Sequence, residues 1–364
     1  MPLNIIRSIL KKISIILFFL GLSLIIGGAA WIGADSIFKS VFSIGIGRLL
    51  ILTLWQIFVI VILSWAWHAI CPDLGVIRLF WARTLREAAA TCLPFSQIGG
   101  ILLGVRAVCF KGYQYIKNPK DLSTAQGISS NIVDITTETL GQIIFIIIGL
   151  AVLLTGGYHT NLQDIDIFGA SINLKWVIVS GVTILILSMI PFIWTQRQGS
   201  AFFKKIIHFL SKNIAQHWSS QMVSNADSLQ NALDKIWSSP NRVLLSCFIH
   251  FIGWIGGAIG TWICYSFLGA QINFFEALSI EALVCVVLSV GFLVPASVGI
   301  QEGAYVILGA IFGIDPHLSF GLSILRRARD ILIGIPALLL WQFAEIRFLR
   351  KHPEAKKSMN IPSN

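Results

Sequence analysis

Charge is what this sequence has least of: Asp, Glu, Lys and Arg make up 12% of its 364 residues, about half of what a soluble domain carries. With 55% hydrophobic residues and a mean hydropathy of +0.80, the chain is too apolar to be solvated by water over most of its length. Acids are scarcer than bases, 17 against 27, which leaves a net charge of +10. The basic residues sit in short clusters between apolar runs rather than on one folded face, so they read as a membrane-topology signal and argue against a nucleic-acid partner. Six cysteines are scattered with no C-x-x-C pair and no histidine at ligand spacing, which excludes a disulfide framework and a cysteine-based metal site; no metal and no cofactor is expected. Enzyme signatures are missing as well. The sequence has no G-x-x-x-x-G-K-[ST] phosphate loop, no H-E-x-x-H and no G-x-S-x-G, and no acyltransferase-type H-x-x-x-x-D pair is counted among the candidates. The expectation is a protein that is not an enzyme and that draws on an ion gradient or a partner for any uphill work.

What the sequence does have is long apolar runs, at 13–33, 48–70, 89–110, 133–155, 174–195, 242–268, 275–294, 297–314 and 319–345. Several exceed the roughly 20 residues a helix needs to cross a hydrocarbon core. Only helices satisfy their backbone within one such segment, so the fold class is all-α, a polytopic transmembrane bundle with six to eight full spans and one or two re-entrant segments. The basic N-terminus followed by an apolar run has the order of a signal peptide, but a run of about 20 residues exceeds the usual signal core and reads as an uncleaved anchor.

Placing Arg7, Lys11 and Lys12 in the cytoplasm puts residues 71–88, with Arg78, Arg83 and Arg86, inside as well. Residues 111–130 carry Lys111, Lys117 and Lys120 and prefer the same side, although one apolar segment separates the two loops. The simplest resolution makes 89–110 a hairpin that enters and leaves on the cytoplasmic face, broken at Pro94, Gly99 and Gly100. The loop 156–173 then falls outside, and the connection 196–241 falls inside, where Phe202, Phe203, Ile206, Ile207 and Leu210 suggest an amphipathic stretch. Both termini are cytoplasmic in this reading. A membrane domain spans 1–346, and a short basic tail occupies 347–364. A second interruption, Pro295 to Gly299 followed by Glu302 and Gly303, leaves open whether 275–314 forms two spans or another hairpin. Paired Gly/Pro breaks in two halves of a membrane protein point to a transport site built by an inverted repeat. Two ordinary proline kinks are the alternative.

Ionisable groups at membrane depth each cost roughly 2.5–3.5 kcal/mol on lenient scales, so each needs a partner, a cavity or a task. Asp134 and Glu138 lie one helical turn apart, and Glu276 and Glu281 flank the start of a later segment. In Arg326-Arg327-Ala328-Arg329-Asp330, counted from Ser319, the charges reach roughly 12–18 Å into a core about 30 Å thick. One reading pairs them internally, Arg326 with Asp330 and the others with Glu302 or Glu138. The other has Arg106, Arg326, Arg327 and Arg329 line a wet cavity for an anionic or polar headgroup. In its sharpest form, Arg326, Arg329 and Glu302 make a switchable cluster. His68 and His250 read as interfacial or packed.

The ordered landmarks Pro94 to Gly100 with Arg106, Val133 to Glu138, Pro295 to Gly303 and Leu325 to Asp330 resemble those of the lysylphosphatidylglycerol synthase transmembrane, flippase-like superfamily. The nearest likeness is to its hopanoid-biosynthesis-associated members, and it covers about residues 10–345. The resemblance implies a lipid-translocating bundle in a bacterial inner membrane, with membrane lipid and lipid-biosynthesis enzymes as partners. A non-transporting lipid-binding subunit and an ion-coupled solute transporter are the alternative functions. Two departures from the family stand out. The chain stops about 20 residues after its last span, where aminoacyl-transferring members append a soluble domain, so lysyl transfer is not expected. Gly100 stands where many members place an acid.

Overall fold

A computed structural model describes residues 34–92, 96–109, 123–155, 165–167, 170–172, 216–290 and 297–351, with isolated helical positions at 183, 187, 190 and 193. The expected first span, the amphipathic stretch 202–210, the C-terminal tail beyond 351, Pro94 and Pro295 lie outside the described residues. The helices are α1 (Ala34–Ile70), α2 (Val76–Cys92), α3 (Ser96–Val108), α4 (Thr124–Thr155), α5 (Gln216–Trp237), α6 (Pro240–Leu268), α7 (Phe274–Val290), α8 (Ile300–Ile311) and α9 (Pro316–Lys351). Among the described residues the one departure from an all-helical reading is small. Ile165–Ile167 and Ala170–Ile172 pair as antiparallel strands β1 and β2, within the connection that the sequence places outside.

Local signals set several helix ends. Ser123 and Gln126 exchange side-chain and backbone bonds at the start of α4, at 3.0 and 3.2 Å, and Asn273 and Glu276 do the same at α7. Gly269 closes α6 at φ 85°, returning its N–H to the last carbonyls of the helix. Among the described residues, four helices are long and apolar enough to cross a membrane: Ile44–Ile70, Ala125–Thr155, Pro240–Leu268 and Pro316–Phe348. Leu54, Phe58, Leu244, Phe248, Leu339 and Phe343 project from them more than half exposed, as side chains do when lipid rather than protein is their solvent.

Cross-helix contacts fix the directions. Arg48 bonds the Phe267 carbonyl and Trp55 that of Gly256, so α1 runs antiparallel to α6. Tyr265 meets Ser319 and Thr261 meets Arg326, so α9 also runs antiparallel to α6. Thr137 bonds Ser246 and Phe145 stacks on Trp254, which makes α4 parallel to α6. The bundle therefore has two ends. One carries Arg78, Lys235, Arg242, Arg347, Arg350 and Lys351 and is here called the basic end; the other holds the turns after Leu268 and Ile311.

Between the long helices lie two helical hairpins. Arg78 reaches the Val108 carbonyl while Gly100 lies on the backbone of Arg86, so α2 and α3 are antiparallel and both open toward the basic end. Here the expectation needs correcting: the hairpin begins at Val76, not near residue 89, and Arg78, Arg83 and Arg86 are buried within it rather than solvated in a loop. At the opposite end, α7 enters after Gly269 and α8 returns to the start of α9, where a Cβ on Gly309 would collide with the Ser319 hydroxyl. The 12 residues of α8 extend about 18 Å, shorter than a core of about 30 Å, and α8 packs back beside α7 as a second helical hairpin. The order long helix, hairpin, long helix thus occurs twice, α1 to α4 and α6 to α9, in opposite orientations. Two apolar cores follow this division, one around α6 to α8 and one where α2 meets the ends of α1 and α9.

Candidate functional site

Each hairpin is tied to the long helix that follows it by buried charges. In the first, Arg83 and Arg86 stand one turn apart on α2 and face Asp134 and Glu138, one turn apart on α4, so that both guanidiniums reach both carboxylates. Asp134 Oδ2 accepts from Arg83 at 3.1 Å and from Arg86 at 2.8 Å. Glu138 accepts from Arg86 at 2.9 Å and, through its other oxygen, from Arg83. Arg83 Nε turns away to Glu87 at 2.8 Å, and Arg86 also reaches Asn131 at 3.0 Å and lies over the Trp67 ring. The remaining Asp134 oxygen faces Nε2 of His250 on α6 at 3.1 Å. Asp134, Asn131 and His250 are fully buried.

The second cluster reverses the arrangement. The acids now come from the hairpin, Glu281 on α7 and Glu302 on α8, and the bases from the following helix, α9. One oxygen of Glu281 accepts three donors: Thr261 at 2.6 Å, Tyr305 at 2.6 Å and Arg326 at 2.7 Å. Arg327 forks onto both oxygens of Glu302, the second at 3.1 Å, and reaches the Ser297 carbonyl at 3.2 Å. Glu302 also accepts the Gly299 N–H at 2.8 Å, so the carboxylate fastens the start of α8 to α9. Gly299 sits at φ +82°, a conformation that favours glycine, and neighbouring Ser297 at φ 48° shares the tight backbone of this turn. Gly303 has open space where a side chain would stand, and nothing in the structure requires glycine there.

The pairing of the arginines matches the internal-pairing expectation in part. Arg327 takes Glu302, but Arg326 bonds Glu281 rather than Asp330 and Arg329 takes Asp330 at 2.9 Å, so the cluster of Arg326, Arg329 and Glu302 does not form. Arg326 and Asp330 do share a helix face, but α7 brings Glu281 onto that face deeper in the bundle. Arg106 joins neither cluster; it is half exposed at the end of α3 and pairs with Glu345 of α9. Gly99 has open space around its Cα, whereas a Cβ on Gly100 would stand 2.6 Å from the Arg86 carbonyl. The missing acid at Gly100 thus has a physical reason: any side chain there displaces α3 from the helix that carries the arginines.

Sequence reasoning missed Arg83, Arg86, Glu87, Thr261 and Tyr305 as cluster members. The i,i+3 spacing of Arg83 and Arg86 beside Leu79, Ala82 and Leu85 was the available signal. At the basic end, a cleft of about 280 Å³ is lined by Cys71, Asp73, Ser130, Lys235, Ser239 and Arg242. His68 and Asp73 beside it do stand at H-x-x-x-x-D spacing, contrary to the count above. His68 Nδ1, however, bonds the Leu74 carbonyl at 2.8 Å, so Asp73 does not orient the ring through that nitrogen. Among the described residues no group of three or more metal-ligating side chains converges.

Long apolar helices, two opposed helical hairpins and paired buried charges define a polytopic membrane protein. The family model for the lysylphosphatidylglycerol synthase TM region matches residues 18–337, and the chain belongs to that family. No curated protein and no solved structure matches it.

Proposed function

We propose that this chain moves a polar-headed lipid between the leaflets of a bacterial inner membrane and performs no catalytic step itself. The observation that carries the reading is the pair of opposed hairpins, each pinned to the next long helix by buried ions. Discontinuous helices in inverted repeats are how many transporters build a path at mid-membrane. The side chains of Arg326 and Arg327 keep 20% and 21% of their surface exposed, so a phosphate or other anionic headgroup has access to a guanidinium fork. The likeness to hopanoid-associated members makes a hopanoid or its precursor one candidate cargo, and lipid-biosynthesis enzymes candidate partners.

Reconstitution into liposomes carrying a fluorescent phospholipid or a labelled hopanoid, followed by a membrane-impermeant quencher, is the test. The expected result is loss of fluorescence beyond the outer-leaflet half at a rate proportional to protein. Lipid binding without accelerated exposure favours a non-transporting subunit, and solute uptake without lipid exposure favours a solute transporter.

The basic end faces the cytoplasm in this proposal. Cys71 lies there, just past α1, and burial followed by the nearby Asp73 charge pushes its thiol up to about 11. In a chain retaining Cys71 as its sole cysteine, an impermeant maleimide should leave intact cells unlabelled. After permeabilisation the reaction should be slow near neutral pH and accelerate about tenfold per pH unit, because the thiolate is the nucleophile. Labelling of intact cells reverses the orientation.

A further inference from the structure

His250 is the one titratable group in the first cluster whose bonding is incomplete. Its Nε2 faces Asp134 Oδ1 at 3.1 Å, while Nδ1 is buried with no hydrogen-bond partner. The ring is fully buried at mid-helix, about 15 Å from the start of α6. A buried imidazole nitrogen without a partner is costly, and one beside an ion network is a natural place for a proton.

The charges around it are unbalanced. On α2 and α4 two guanidiniums, Arg83 and Arg86, face three carboxylates, Glu87, Asp134 and Glu138. The cluster is one positive charge short, and a proton on His250 makes it neutral. No other element supplies that charge among the described residues. On α1, Arg48 and His68 sit at opposite helix ends on the Phe267 and Leu74 carbonyls. Arg106 of α3 is held by Glu345 of α9, and Glu281 of α7 and Arg326 of α9 meet at Thr261, about 16 Å further along α6.

A cleft lies toward one side. The cleft at the basic end is lined by Ser130, one turn or about 6 Å before Asp134 on α4, and by Arg242, two turns before His250 on α6. Between that level and the imidazole, Ser130, Asn131, Thr137 and Ser246 are buried polar side chains on α4 and α6.

We infer that the His250–Asp134 pair is a proton-binding site that couples proton movement to movement of the lipid. In the resting form His250 is neutral, its Nε2–H donates to Asp134, and the Nδ1 lone pair is empty-handed. A proton arriving from the cleft binds Nδ1, giving an imidazolium that neutralises the cluster. Asp134 then has a full cation on one oxygen and needs its guanidinium partners less, so the grip of α4 on the first hairpin slackens.

This inference rests on the lipid-moving reading, and two measurements on the full-length protein separate them. The first is the pH titration of the His250 resonance in histidine-labelled protein, assigned by its disappearance in His250→Gln. It should shift with pH along a one-proton curve, and a resonance that does not respond to pH overturns the proposal. The second imposes a one-unit pH difference of either sign across liposomes holding the fluorescent phospholipid. With one proton per lipid, wild-type protein should sustain a leaflet asymmetry of up to about tenfold that reverses with the gradient. His250→Gln should show no dependence on it. Lipid movement indifferent to the gradient in the wild type overturns the coupling, and this arm needs no folded variant. Titration of His250 with no lipid movement at any pH overturns the lipid reading and leaves the proton site standing.

Discussion

Arg83→Ala is expected to be among the most destabilising single substitutions in the chain, lowering stability by about 3–5 kcal/mol, the cost of leaving buried charge without its partner. The side chain is 2% exposed and divides its three donor directions among Glu87, Asp134 and Glu138. Its loss leaves Arg86 alone between two carboxylates. Arg83→Lys should recover little, because an ammonium is a point charge and does not present donors along the three directions of a guanidinium. Glu87→Ala is the contrast: its side chain is 30% exposed, and its removal should cost no more than about 1 kcal/mol. Thermal denaturation of the detergent-solubilised protein compares them. Equal, mild effects of Arg83→Ala and Glu87→Ala mean that the first hairpin is held by apolar packing and not by its ions.

That cluster also shows where the sequence was opaque. The breaks around Pro94 and Pro295 are visible in one dimension because proline and glycine interrupt apolar runs whatever surrounds them, so the first hairpin was recognisable and the second stood beside a two-span alternative. The extent of the first was not recognisable. Helix α2 carries Arg78, Arg83 and Arg86 on the face it buries, which lowers its hydropathy to that of a solvated loop, and the acids that make burial tolerable lie on α4. The depth of Arg326 could be counted from the start of its helix, yet its choice of Glu281 over Asp330 depends on how closely α7 approaches α9, a tertiary fact with no local signature. His250 is fully packed, as its surroundings suggested, but its place on Asp134 emerges only when α4 and α6 are seen to run side by side.

The second cluster offers a sharper division between holding and moving. Glu302 is buried and binds both Arg327 and the Gly299 N–H, so it clamps the turn of the second hairpin to α9. If the clamp is structural alone, Glu302→Gln and Arg327→Ala should each cost about 3–5 kcal/mol, and the double variant, free of unpaired charge, should regain much of that loss. If Arg327 also receives the headgroup, the outcome parts company with stability. The double variant should fold and still move lipid at least about tenfold more slowly per folded molecule, because a charge-assisted contact of roughly 1.5–3 kcal/mol is missing from the path. Glu302→Gln should then behave differently from Arg327→Ala: the amide still accepts the Gly299 N–H but releases Arg327 to the headgroup, so movement per folded molecule should hold steady or rise. The same liposome assay, normalised to folded protein, reads all three variants. A double variant that folds and moves lipid at the wild-type rate takes Arg327 out of the lipid path and leaves Glu302 and Arg327 as a clamp.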